Sequence, residues 1–154
     1  MVIREAGILF RGFTLAQASY HKTSELDIDK DLRSSLMTAL VNFAEGVFSV
    51  DSVEYFEMKK FVISFIKDQI TPSDSEDPES LITYAILDKE KKVEKLIKKM
   101  VVPSLKKIVN QFKLKYDGKN LSEISQFRDF KQELDNIFGT DTKTIEQKLK
   151  GTFF

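Results

Sequence analysis

The chain is expected to fold as a mixed α/β (α+β) domain. It should have one five-stranded antiparallel sheet between a helix and a long C-terminal helix, in the order ββαβββα, with extra C-terminal helices. Three observations predict this. Two β-branched and aromatic runs, Ala6 to Phe10 and Phe13 to Tyr20, are separated only by Arg11-Gly12, the spacing of a hairpin. Ile8 to Phe10, Phe61 to Ile66 and Leu81 to Leu87 are apolar on both faces, so each needs cover on both sides. Between and after these runs the apolar period changes to that of a helix.

Taken in order, the second strand carries Thr14, Gln17 and Ser19, the mixture of an edge strand. Asp27 and Asp29 precede a helical stripe of Leu32, Leu36, Leu40, Phe43 and Val47, and either can cap it. Asp31 alternates with them, and anions at a helix start explain all three without a metal. Met37, Val41, Ala44 and Phe48 widen the stripe beyond what one sheet face covers, so either a second element or a partner covers the excess. Val53 to Met58 alternates as a strand, Lys59-Lys60 turns it, and Phe61 to Ile66 follows. Ile70 to Ser80, with two prolines and four acids, reads as a solvated, mobile loop. Leu81 to Leu87 completes a meander of strands short enough in their connections to be antiparallel.

From Asp88 the pattern is helical. Val93, Leu96, Ile97, Met100, Leu105, Ile108, Val109, Phe112 and Tyr116 share one side, and Pro103 predicts a kink or break near Met100 to Val102. Asp117 to Asn120 ends this helix. Ser122 or Ser125 is expected to cap the next one, with the stripe Phe127, Phe130, Leu134, Ile137 and Phe138 and a stop at Gly139. A last helix over Asp141 to Lys150 leads into Phe153-Phe154, aromatics expected to pack back on the domain or fray. The division is residues 1–119 as the sheet domain and 120–154 as a helical extension packed on it.

Composition narrows function. With 154 residues the chain fits one domain that buries about two-thirds of its unfolded surface. Apolar residues at 42% and charged residues at 31% describe a globular protein. No cysteine is present, which excludes disulfides, thiolate metal sites and a cysteine nucleophile, and fits a reducing, cytoplasmic setting. The longest uncharged stretch, Ser34 to Ala44, is far short of the roughly 20 residues of a membrane span. Met1 to Glu5 does not open as a secretory signal. His21 is the lone histidine, so a multi-histidine metal site is excluded, and no carboxylate is placed to make it a general base. No Gly-x-Ser-x-Gly elbow and no phosphate-binding glycine loop occur, so neither a hydrolase nor a GTPase is expected. Asp74, Glu76, Asp77 and Glu79 lack the central glycine of a calcium loop. The expectation is no catalytic residue, no metal and no cofactor.

Charge is segregated. Lys89 to Lys119 holds eleven lysines against three acids (Glu90, Glu94, Asp117), an excess of eight positive charges in a chain that is neutral overall. Lys92, Lys95, Lys99 and Lys106 are candidate contacts for an anionic membrane surface, which would make the protein peripheral at membranes. They could equally steer an acidic protein or keep the domain in solution. Nucleic acid is not expected, because arginines and exposed aromatics are not interleaved.

Three stretches carry a family resemblance: Gly7-Ile8-Leu9-Phe10-Arg11-Gly12 with Phe13 to Tyr20; the first helix running directly into Val53 to Leu87; and the helix end Leu105 to Tyr116 with its phenylalanine and tyrosine spacing. In element order and length these resemble the longin domain and the wider longin, roadblock and profilin-like group, over about residues 3–117. The resemblance implies a non-catalytic platform of trafficking and GTPase-control machinery. Its expected partners are a small GTPase, another longin or roadblock domain, or a second copy of itself. Residues 120–154 hold no SNARE-type heptads, which favours GTPase or longin-partner binding. The implied interface is the first helix and the edge strand, through Val41, Phe48, Val53, Tyr55 and Glu57. The alternative is a PAS-like small-molecule sensor with an aromatic pocket under the long helix.

Overall fold

The computed structural model describes residues 3–20, 37–39, 42, 54–57 and 61–138. The fold is α+β: an antiparallel sheet with helices. Its long strands are β1 (Ile3–Phe10), β2 (Phe13–Ser19), β4 (Phe61–Ile70) and β5 (Glu79–Asp88), and the four-residue β3 (Glu54–Glu57) pairs with β4. The spatial order is β2-β1-β5-β4-β3. The three runs that are apolar on both faces thus become the three inner strands, where both faces are covered by protein. The mixed run, β2, lies at an edge.

The β1–β2 hairpin pairs Phe10 with Phe13 across Arg11-Gly12. Both turn residues have positive φ, 51° and 80°, as a two-residue hairpin turn matching the sheet twist demands. Glycine adopts that conformation freely, whereas arginine is strained there. One residue further on the register slips, because Ile8 pairs with Ala16 and Leu9 with Thr14, leaving Leu15 as a bulge. Leu15 and Ala16 consequently both join the core.

One sheet face presents Ile8, Phe10, Val62, Ile66, Leu81, Ala85 and Leu87 to the long helix. That helix comprises α1 (Val93–Leu96), a π-helical stretch (Ile97–Val101) and α2 (Val102–Tyr116). Instead of a sharp kink, Pro103 is preceded by this wider turn, in which the Val102 N–H donates to the Ile97 carbonyl, five residues back. The apolar positions show its purpose. Val93, Ile97, Val101 and Leu105 recur every four residues, and on an ideal helix that stripe would drift about 40° per step. A π stretch takes more residues per turn and cancels the drift, so all four stay buried.

The second half of this face is covered by α3 (Phe130–Phe138), which packs on β1, β2 and α2. It begins after a 3₁₀ turn at Ile124–Phe127, so neither Ser122 nor Ser125 caps it. The Ser125 hydroxyl meets Glu123 instead, and the Gln126 side-chain amide donates to the carbonyls of Asn120 and Glu123. Phe112, Tyr116, Phe127 and Phe130 form one ring cluster, with centroids from 4.7 to 6.2 Å apart. Residues 121–138 therefore share a core with the sheet.

On the opposite face lie Leu9, Phe61, Ile63, Phe65, Ile82, Tyr84 and Ile86, with Met37 of the first helix buried against them. Residues 37–39 and 42 are helical. The Leu32 to Val47 stripe, His21, the Lys59-Lys60 turn, the helix expected at Asp141 to Lys150 and Phe153-Phe154 lie outside the described residues. Tyr84 lies across from Gly7 in the β1–β5 ladder, and its hydroxyl donates to the buried Glu5 carboxylate at 2.7 Å. A Cβ at Gly7 would stand 2.8 Å from the Tyr84 ring and 2.7 Å from the Ala16 carbonyl oxygen. Glycine is required here by the close approach of a ring and a backbone.

Two substitutions check this packing by denaturant unfolding. Gly7→Ala is expected to cost about 1–3 kcal/mol through overpacking. Phe130→Ala should cost about 3–5 kcal/mol through the cavity left beside Phe112. A loss under 1 kcal/mol in either case would contradict the geometry.

Candidate functional site

β3 is held to the sheet by pairing Tyr55 with Ser64 and Glu57 with Val62. Alternation along a strand puts both side chains on the long-helix side of the sheet. Tyr55 is half-buried against that core, and the exposed Glu57 carboxylate lies 3.3 Å from Lys89 Nζ, just ahead of the long helix. Tyr55 and Glu57 therefore stand on the long-helix side of the sheet. Val41, Phe48 and Val53 lie outside the described residues. What the structure brings together is a short edge strand and the start of a lysine-rich helix.

Lys95, Lys99 and Lys106 on that helix, and Lys92 just before it, are all exposed. The buried stripe forces this placement, because every position that does not touch the sheet faces solvent. Lys98 is drawn to Glu94 at 3.5 Å and Lys113 to Asp68 at 3.0 Å.

The expected mobile acidic loop is a further correction. β4 and β5 extend to Ile70 and from Glu79, so the connection shrinks to residues 71–78, and it is tied at both ends. Next to the helix end, the Thr71 N–H donates to the Asp117 carboxylate, the Gly118 N–H to the Thr71 carbonyl, and the Ser73 N–H to the Lys119 carbonyl, at 2.8–3.0 Å. At the hairpin, the Arg11 guanidinium is shared between two carboxylates. Its Nε and Nη2 donate to Glu79 at 2.9 and 2.5 Å, and its Nη1 and Nη2 to Asp74 at 3.0 and 3.1 Å. It also lies 4.9 Å from the Phe10 ring centroid. Hydrogen bonds from Arg11 hold both carboxyls below their usual range and push the guanidinium further up. Such bidentate contacts explain why arginine persists at a positive φ. Nothing in the sequence marks Arg11 for this, since its partners are 63 and 68 residues away.

Arg11 borders two concavities. A cleft of about 600 Å³ is lined by Leu9, Arg11, Thr38, Asn42, Gln69 and Glu79, among others. An apolar notch of about 300 Å³ lies between Phe10, Phe13, Leu15, Leu121 and Ile124. Among the described residues that line it, the one cation, Arg11, is already paired with two carboxylates, and among the described residues no three metal-ligating side chains converge. Under the long helix, where the alternative sensor reading would place its pocket, Phe112, Phe127 and Phe130 pack on one another. No helix among the described residues is long and apolar enough to cross a membrane. No protein-family model matches this chain, and no curated protein matches it.

Arg11→Met keeps the aliphatic stem and removes the clamp, so its melting temperature should fall below that of the native chain at pH 7. Because Asp74 and Glu79 have lowered folded-state pKa values, their contribution is present above the unfolded values near 4 and disappears as pH falls through the folded ones. The melting difference should therefore vanish in acid. Arg11→Gly, which relieves the positive φ as well, should melt above Arg11→Met. A difference that persists at pH 2 would exclude the clamp as its source.

Proposed function

We propose that this chain is a non-catalytic interaction module of longin-like type: a five-stranded sheet in the order ββαβββα, clad by one helix and one long helix. In this reading it binds a small GTPase or another longin or roadblock domain in trafficking or GTPase-regulating machinery. On the same reading it is a cytoplasmic protein that needs no cofactor, with membranes as a peripheral contact only. The observation that carries the reading is the β3 edge. A four-residue strand with β4 on one side carries a half-buried tyrosine, and exposed strand edges accept an added strand through main-chain hydrogen bonds. The exposed Glu57–Lys89 ion pair lies beside that edge, where a partner's charge can compete for it. Val41, Phe48 and Val53, assigned to the interface from the sequence, complete the surface in this proposal.

The test is a pull-down and light-scattering titration against small GTPases in both nucleotide states and against longin and roadblock chains. A complex should form with one of them and weaken at least tenfold in Tyr55→Lys/Glu57→Lys, with Phe48→Asp adding to the loss. A double variant that stays folded and binds as tightly as the native chain would remove β3 from the interface.

A further inference from the structure

The solvent ridge of the long helix combines basic and apolar groups in a way that the fold does not need. From Lys95 to Tyr116 there are seven lysines and no acid in 22 residues. Directly opposite the buried stripe run Met100, Pro103, Lys107, Asn110 and Leu114, at steps of three and four, and all are exposed. Leu114 is 88% exposed and Met100 38%, so two large apolar side chains stand in water on the same line, about 21 Å apart along the axis. Lys99, Lys106 and Lys107 flank them, and none has an acidic partner among the described residues. Met100 and Leu114 thus add apolar surface to a face whose charges are all positive.

We propose that this ridge docks on an anionic lipid bilayer, with Lys99, Lys106 and Lys107 among the headgroups and Met100 and Leu114 entering the acyl boundary. The shape argues for a lipid plane over a protein. The ridge is the outward, convex side of a helix, whereas protein anchors are received in pockets. The uninterrupted positive charge matches anionic headgroups, which attract each surface lysine by roughly fivefold in partition. The ridge is separate from the β3 edge, so docking leaves that edge open. The vesicle experiment contains no protein partner and stands or falls apart from the adaptor reading.

The test is co-sedimentation of the full chain with phosphatidylcholine vesicles containing 30% phosphatidylserine and with pure phosphatidylcholine vesicles. Binding is expected only to the anionic vesicles and should drop at least tenfold between 50 and 500 mM salt. Lys106→Glu/Lys107→Glu should lose at least about 25-fold, the product of two fivefold terms. Leu114→Gln should lose about three- to fivefold at fixed salt while its melting temperature stays unchanged, because the side chain packs on nothing. Lys131→Glu, on α3, is the charge control and should bind within twofold of the native chain. Equal binding to both vesicle types, no binding to either, an equal loss in Lys131→Glu, or native binding by Leu114→Gln would each overturn the proposal.

Discussion

Burial of both faces of the three inner strands is the constraint on which everything else in this molecule rests. β1, β5 and β4 carry large apolar side chains above and below the sheet, and each exposed side chain of that size would cost about 1.5–3 kcal/mol. The helices follow from that requirement. The long helix covers β4 and β5, α3 covers β1 and β2, and Met37 packs on the reverse side. Placing α3 on the hairpin half also explains the aromatic cluster, because the seam between two helices on one sheet needs wide, flat side chains to fill it.

The same constraint decides which surfaces are available. A helix whose apolar stripe is held to the sheet must turn its lysines outward, and the π stretch before Pro103 keeps that division in phase along the whole length. The hairpin turn shows the reverse logic. There a strained backbone position is tolerated because Asp74 of the β4–β5 connection and Glu79 at the start of β5 hold its guanidinium, and in doing so they tether a segment whose composition alone suggests freedom. Polar contacts between remote segments anchor both ends of that connection.

Legibility differed from element to element for physical reasons. The Arg11-Gly12 hairpin, the two-faced strands and the helical stripe are local periodicities, so they can be read directly. Pro103 announced a disturbance but not its form, since a kink and a π stretch both relieve a missing donor, and only the need to keep Val93 to Leu105 in phase selects between them. The serines near residue 122 suit a helix cap by type, yet the 3₁₀ turn displaced the helix start to Phe130. Which way Tyr55 points depends on strand register, which a four-residue strand does not encode by itself. Nothing in the sequence singles out Leu114, because among so many apolar residues exposure is set only when the helix lies on its sheet.

By itself the sequence determined the antiparallel α+β class, the hairpin, the inner strands and the segregation of positive charge, because each follows from side-chain periodicity and composition within a short window. Only the tertiary structure decided that α3 shares the core, that Arg11 clamps Asp74 and Glu79, that Gly7 makes room for Tyr84, and that Leu114 crowns a basic ridge. These depend on contacts between residues far apart in the chain, and such contacts are set by how the layers pack.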